Sequence, residues 1–353
     1  MPRFSAAALR DLGARLFQAV GTPAADAELV ADHMVDSGLM GHDSHSVLRY
    51  PQYVEAARNG HIRFGAPMEV VSDSERTAQV TGNWNFGAVT ATKAVALAME
   101  KVRGGAISAV TARDCWHVGR LGAFAAMAAR ENLIALLTCN GQGGDLTVAP
   151  FGGRERRLPT NPLAIALPSG KEWPIVLDMA TSMTSGGAMR VFRNRRQPIP
   201  DGFAIDAQGN PVTDVETYYG PPAGALLPLG FPDSGHKGFG LSLLVDMLSG
   251  ALSRGGCSQA DPTEPGNALF ITLIDIEAFT PIESFLEEAR LFVDWVKSAP
   301  PSEGYDEIML PGEKAHRAYL ERSVQGLVVD DQAWAQICEL ATELTVVLPE
   351  PID

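Results

Sequence analysis

Between Met68 and Ile276 the chain alternates short aliphatic and β-branched runs with stretches of helical spacing, and that alternation restricts its fold more than any other feature. Met68 to Val71 and Ala78 to Thr81 read as strands around the polar Asp73-Ser74-Glu75 turn, followed by an alanine-rich helix from Val89 to Val102. Ala106 to Ala112 then reads as strand, Leu121 to Glu131 as helix and Leu133 to Cys139 as strand. Further strands are expected at Leu163 to Leu167, Ile175 to Leu177 and Phe270 to Ile276, and a buried helix at Leu241 to Leu252 between Gly240 and Gly255. Both ends read differently. Ser5 is placed to cap a helix carrying Leu9, Leu12, Leu16 and Val20, with Gly21 to stop it, and Thr22-Pro23 opens a second. A third helix is expected from Val47 to Arg58, and three more at Ile282 to Lys297, Glu313 to Glu321 and Gln332 to Glu343. The expected organisation is a discontinuous helical domain from residues 1–67 and 281–353 around a central α/β region, 68–280.

At 353 residues the chain is long enough for two or three compact units with a sizeable core. Its 28 Lys and Arg against 42 Asp and Glu leave a formal charge of −14, which argues against a surface that neutralises nucleic-acid phosphates. Cys115, Cys139, Cys257 and Cys338 form no CxxC pair, so free thiols in a reducing compartment are expected. Arg10, Asp11 and Arg15 interrupt any apolar signal core near the N-terminus, and the longest apolar runs fall far short of a ~20-residue span. These features lead us to expect a cytoplasmic protein that does not cross a membrane.

No G-x-G-x-x-G turn with its downstream acid is present, so a Rossmann site is not expected. Three polar clusters stand out instead. In Gly41-His42-Asp43-Ser44-His45-Ser46-Val47-Leu48-Arg49, a helix would put His45 and Arg49 on one face, where imidazole and guanidinium could meet one anion. The same residues also read as an N-capping Ser44 with surface histidines, or as a partial metal set of His42, Asp43 and His45. Trp116-His117-Val118-Gly119-Arg120-Leu121-Gly122 lies at a strand-to-helix junction, where backbone N–H groups favour phosphate; a plain tight turn is the alternative. In Leu177-Asp178-Met179-Ala180-Thr181-Ser182 the acid could hold a ribose hydroxyl or cap a helix. The basic group Arg190, Arg193, Arg195 and Arg196 reads as a solvated helix end, or as a selector of a 2′-phosphate.

With these clusters as anchors, the chain resembles the malate/L-lactate dehydrogenases that bind nicotinamide dinucleotides without a Rossmann fold, a family that includes sulfolactate dehydrogenase, ureidoglycolate dehydrogenase and Δ1-piperideine-2-carboxylate reductase. The likeness is an ordered series: Asp43-Ser44-His45 with Arg49, His117-x-Gly119-x-x-Gly122, Pro150-x-Gly152-Gly153, Leu158-x-Thr160-Asn161-Pro162, Asp178 to Ser182, Ile199-Pro200-x-Gly202, Gly235-His236-Lys237-Gly238-x-Gly240 and Leu310-Pro311-Gly312-Glu313. Each element is weak alone, and their order over residues 40–313 is specific. The resemblance implies an α/β, non-Rossmann NAD(P)-binding fold with a mixed central sheet and a helical layer from both termini. It implies a homodimer that moves hydride between NAD or NADP and C2 of a small anionic 2-hydroxy or 2-oxo acid, or a cyclic 2-imino acid.

Carried over residue by residue, the resemblance gives His45, oriented by Ser44, and His117 as the two candidates for the proton-transferring group. It makes Arg49 the carboxylate clamp, with Thr160, Asn161, Gly186 and Gly187 completing the substrate pocket. The implied cofactor contacts are His117, Val118, Gly119, Arg120, Leu121, Gly122, Asp178, Met179, Ala180, His236, Lys237, Pro311, Gly312 and Glu313; no metal is implied. Three departures from the family pattern are Ser46, where Gly usually follows Asp-Ser-His, Ala188, where several relatives carry a charge, and Pro159. Ser46 is expected to add a side chain beside the catalytic histidine. Ser46 and Ala188 prompt a competing reading, a dinucleotide-binding protein without turnover. A metal-dependent hydrolase built on His42, Asp43 and His45 is a third.

Overall fold

The computed structural model describes residues 1–261 and 266–352. The short strand β1 (Arg3–Phe4) leads into α1 (Ala6–Ala19), whose first turn is closed by the Ser5 hydroxyl accepting from the Ala8 N–H at 3.1 Å. Such a cap contributes about 1 kcal/mol. Helix α2 (Ala24–Leu39) follows, then two single 3₁₀ turns at Asp43–His45 and Val47–Arg49, and α3 (Tyr50–Arg58). The central region runs β2 (Glu69–Asp73), β3 (Thr77–Thr81), α4 (Gly87–Val102), β4 (Ile107–Cys115), α5 (Leu121–Arg130), β5 (Leu133–Asn140), β6 (Leu163–Leu167) and β7 (Ile175–Met179). After β7 come α6 (Gly186–Asn194), β8 (Ala204–Ile205), α7 (Val215–Tyr219), β9 (Ala225–Leu226), α8 (Gly235–Asp246) and β10 (Asn267–Asp275). The chain closes with α9 (Ile282–Lys297), α10 (Glu313–Gln325), β11 (Leu327–Val328) and α11 (Asp331–Glu343).

Seven strands form one sheet in the order β2-β3-β4-β10-β5-β6-β7. Only β3 and β4 pair in parallel; the other neighbours are antiparallel. The mixed sheet expected from the resemblance is therefore present. Its centre is filled by β10, which arrives some 130 residues after β5 and pairs with both β4 and β5. Alternation along β10 buries Leu269, Ile271 and Leu273 completely against the helical side. The two chain ends meet, since β1 pairs antiparallel with β11 and places Phe4 opposite Leu327. One apolar core runs from Leu9, Leu12 and Phe17 through Val89, Phe124 and Leu137 to Ile337. A second, smaller core of Val148, Leu158, Met189, Ile199, Val212 and Tyr218 supports the lobe that carries α6 and α7.

Two expectations are corrected. The third helix begins at Tyr50 rather than Val47, because Ser46 is extended (φ −98°, ψ −158°) and breaks the segment into two turns. His45 and Arg49 therefore do not share an α-helical face. The segment from Leu241 to Leu252 is not buried: α8 and the π-turn that extends it leave Leu241, Leu243, Leu244, Met247, Leu248 and Leu252 open to solvent. Among the described residues no helix is long and apolar enough to cross a membrane, and all four cysteines are free thiols.

Candidate functional site

Three adjoining cavities make one cleft. The innermost, of about 390 Å³, is lined by His45, Arg49, Gln52, His117, Thr160 and Gly186, together with Gly187, Asp145, Arg156, Arg190 and Tyr218. A middle section shares His45, Thr160 and Ser185 with it and adds Ser44, Gly119, Leu121, Met179 and Ala180. The outer groove, of about 540 Å³, shares His42, Arg120 and Asp178 with the middle section and continues past Val176 and Gly312 to α10.

At the inner end the broken turn does by tertiary folding what a helix was expected to do. Arg49 is 6% exposed; its Nε donates to the Ser44 carbonyl at 2.8 Å and its Nη1 to Gln52 Oε1 at 2.8 Å. Arg190 on α6 donates to the same Gln52 oxygen at 2.9 Å, so one amide holds two guanidinium groups together. Neither cation has a carboxylate partner among the described residues, and burial, followed by the field of Arg190, brings the Arg49 pKa down to about 10. Gly187 leaves Arg49 Nη2 uncovered: a Cβ at that position would lie 3.0 Å from it.

The rings of His45 and His117 stack beside this guanidinium, 5.5 Å apart and within 9° of parallel. Ser44 Oγ lies 3.1 Å from His45 Nδ1. The Tyr53 hydroxyl lies 2.6 Å from His117 Nδ1 and also donates to the His117 carbonyl at 3.0 Å. Burial first, and then the positive charge of Arg49, holds both imidazoles well below the usual histidine range. Both are therefore neutral near pH 7, each with one nitrogen oriented by an oxygen and the other available to a ligand.

In the middle of the cleft, the turn before α5 is held from two sides. The Arg120 N–H donates to His33 Nε2 at 3.2 Å, and the Gly122 N–H donates to Asp178 Oδ2 at 2.8 Å. A Cβ on Gly122 would come within 2.6 Å of that carboxylate, and one on Gly119 (φ +82°) would strike the His33 ring. His33, kept neutral by burial that lowers its pKa to about 3, thus serves as an acceptor. The Arg120 guanidinium is 7% exposed, has no ion pair and leaves Nε without a partner among the described residues. Val118 is buried and its N–H donates to Asn267 Oδ1, so it supports the turn from the core side.

Several expected site residues stand elsewhere. Asn161 is fully buried; its amide nitrogen donates to Ser242 and Asp246, so it anchors α8 instead of lining the acid pocket. Glu313 is enclosed by Lys297 at 2.7 Å, by Arg317 and by the Leu310 N–H, so its carboxylate braces the start of α10. The Pro311 carbonyl accepts from Val176, whereas Gly312 does line the outer groove. His236 and Lys237 open α8 with exposed side chains, His236 lying against Phe151, and neither lines the cleft formed by one chain. Ser46 does not crowd His45; it is tucked against Gly38 on the opposite side. Of the basic group, Arg190 lines the acid pocket, while Arg193 pairs with Glu216 and Arg195 with Asp43.

The metal set is also dispersed. Asp43 turns to Arg322 at 2.7 Å and Arg195 at 3.1 Å, away from His45, and among the described residues no three His, Cys, Asp or Glu side chains stand where they could hold an ion. Residues that the sequence did not single out are Gln52, Tyr53, His33, Arg156 and Tyr218. Gln52 and Tyr53 follow Arg49 by three and four positions, a spacing that puts them one helical turn away and that could have nominated them.

Two guanidinium groups without ion pairs among the described residues, one buried beside two neutral imidazoles and the other opening onto a long groove, suit a small anionic ligand that exchanges a proton at one end of an extended one. The chain belongs to the malate/L-lactate dehydrogenase family, whose pattern it matches over residues 4–338. It is 36% identical over 339 residues to a malate dehydrogenase of Pyrococcus horikoshii, covering 94% of this chain and 92% of that one. It is 33% identical over 348 residues to hydroxycarboxylate dehydrogenase B of Escherichia coli O157:H7, covering 97% and 94%. The solved sulfolactate dehydrogenase of Methanocaldococcus jannaschii superposes with a TM-score of 0.86 at 31% identity over the full length of both chains. These relationships make the protein a hydroxy acid dehydrogenase or reductase.

Proposed function

We propose that the chain moves a hydride between a nicotinamide dinucleotide, NAD or NADP, and C2 of a small anionic 2-hydroxy or 2-oxo acid or related cyclic 2-imino acid. The observation that carries this reading is Arg49, a buried cation fixed by Ser44 and Gln52 with one edge left open toward Gly187. A buried charge without a counter-ion is unfavourable until an anion joins it, and a guanidinium edge fits a carboxylate. Held there, the acid has its C2 oxygen beside His45 and His117. A neutral imidazole then accepts the hydroxyl proton in oxidation and returns it in reduction, with Ser44 orienting His45 and Tyr53 orienting His117.

The rest of the cleft fits a dinucleotide. The unpartnered Arg120 guanidinium, the start of α5 and the bare walls at Gly119 and Gly122 suit a diphosphate. When bound, the nicotinamide supplies or accepts the hydride. Leu121, Met179, Ala180, Asp178 and Gly312 would line its path. Incubation of the protein with NADH or NADPH and a panel of 2-oxo acids and cyclic imines should consume the reduced cofactor. Absence of turnover in both directions, with dinucleotide binding retained, would leave the protein a binder without dehydrogenase activity.

Arg190 and Arg156 also line the pocket, Arg156 held by the Gly224 and Tyr218 carbonyls, and Asp145 is the one carboxylate among the described residues that line it. That excess of positive charge favours an acid with a second anionic group, malate-like rather than lactate-like. We further propose a homodimer in which a second copy covers the apolar face of α8, because Leu244 and Met247 are 60% and 59% exposed beside four other aliphatic side chains. Light scattering should give twice the chain mass, and Leu244→Asp should halve it. The free, partly buried thiols support a cytoplasmic location.

A further inference from the structure

The outer groove carries more positive charge than a diphosphate needs. Arg120, Arg130, Lys314 and Arg322 line it, with His42 and His316, against a single lining carboxylate, Asp178. These groups are not equivalent. Arg322 is already held by Asp43 and by the Gly38 carbonyl. Arg120 and Asp178 are shared with the middle section and so mark the inner end of the groove. Arg130, the last residue of α5, and Lys314, in the first turn of α10, remain, and neither makes an ion pair or a side-chain hydrogen bond among the described residues.

The direction of a dinucleotide along the cleft follows from the chemistry at its inner end. The acid pocket, with both imidazoles, must face the nicotinamide, so the adenosine half occupies the outer groove. Trp173 and His316 are stacked there, 5.9 Å apart and 25° from parallel, and offer a flat wall for a base. Proteins that select the unphosphorylated cofactor hold its adenosine ribose with a carboxylate, and those that select the phosphorylated one offer cations. Among the described residues the one carboxylate lining this groove is Asp178, which lies at the inner end and accepts from Gly122. Among the described residues, the charged side chains that line the outer end are cations.

Resting on the dinucleotide reading above, we infer that the groove selects the 2′-phosphorylated cofactor, with Arg130 and Lys314 receiving the 2′-phosphate. This assignment differs from the one that the run Arg190 to Arg196 suggested, because Arg190 lines the acid pocket, Arg193 pairs with Glu216 and Arg195 pairs with Asp43. Phosphate bound by two exposed cations is screened by salt, so the preference should weaken as ionic strength rises.

The test is a binding titration of the full-length protein by calorimetry, with NADPH, NADH, 2′,5′-ADP and 5′-AMP as separate ligands, for the unaltered chain and for Arg130→Ser and Lys314→Ala. NADPH should bind at least roughly tenfold more tightly than NADH, and 2′,5′-ADP more tightly than 5′-AMP, as charge-assisted contacts to phosphate require. Each substitution should weaken NADPH and 2′,5′-ADP by roughly three- to tenfold and leave the dissociation constant of NADH within about twofold. Equal or tighter binding of NADH, or an equal loss for both cofactors in the variants, overturns the assignment while leaving the dinucleotide reading in place. Failure of every dinucleotide to bind overturns both.

Discussion

The Tyr53 hydroxyl sits 2.6 Å from His117 Nδ1 and 3.0 Å from the carbonyl oxygen of the same residue. A phenol has one proton. When it donates to the carbonyl, it accepts from Nδ1–H, which leaves Nε2 of His117 as a base. This contact joins residues 64 positions apart, and burial keeps Tyr53 protonated by pushing its pKa well above the usual tyrosine value. Tyr53→Phe should therefore lower kcat by about tenfold and move the pH profile, with a stability loss of about 1 kcal/mol in urea unfolding. An unchanged kcat and profile would remove Tyr53 from the proton path.

Arg49 is bound from both sides by its own chain, so its role should depend on shape as well as charge. Arg49→Lys keeps a cation and loses the fork. We expect kcat/KM for the 2-oxo acid to fall by about a hundredfold, equivalent to about 3 kcal/mol, while the dissociation constant of the reduced cofactor changes little. Stopped-flow cofactor binding beside steady-state rates distinguishes this result from general unfolding, which would weaken both.

Arg190 shares the Gln52 oxygen with Arg49 but is itself exposed to the pocket. Arg190→Gln should reduce kcat/KM for a dianionic 2-oxo acid by about tenfold and for a monoanionic one by less than about threefold, in keeping with one lost charge-assisted contact. Equal losses for both substrates would contradict a malate-like preference.

Four histidines, His42, His45 and His117 in the cleft and His33 behind its wall, have pKa values lowered chiefly by burial. The unfolded chain takes up protons at these positions near pH 6.5 and the folded chain does not, so stability should fall as pH drops below about 6.5. For His33 the window extends to about pH 3, at up to about 1.4 kcal/mol per pH unit. Urea midpoints between pH 7.5 and 5 should decrease accordingly, and His33→Gln should make the slope shallower. In the same variant the cofactor dissociation constant should rise, since the Arg120 N–H loses its imidazole acceptor.

Much of this protein is encoded locally. The strand Leu163–Leu167 and the helix Ile282–Lys297 run in the structure between the ends that periodicity and composition assign to them. The alternation of strands and helices, and the linear order of motifs with Ser44, His45, Arg49, His117, Gly119, Arg120 and Asp178, were also legible, because each depends on residues close together in the chain. Tertiary structure decided the rest. Strand direction in the mixed sheet depends on β10 inserting between β4 and β5, a pairing that no local pattern reports. Hydrophobic spacing shows that α8 has apolar residues, but only the surrounding elements determine whether they meet a core or remain exposed. Polar residues in a motif can likewise turn either way: Asp178 faces the groove, whereas Asn161 turns inward toward Asp246, 85 positions away. The sequence by itself determined which chemical groups the chain carries and the local elements that hold them. Long-range packing determined which of those groups meet, because burial and partner distance belong to the assembled fold.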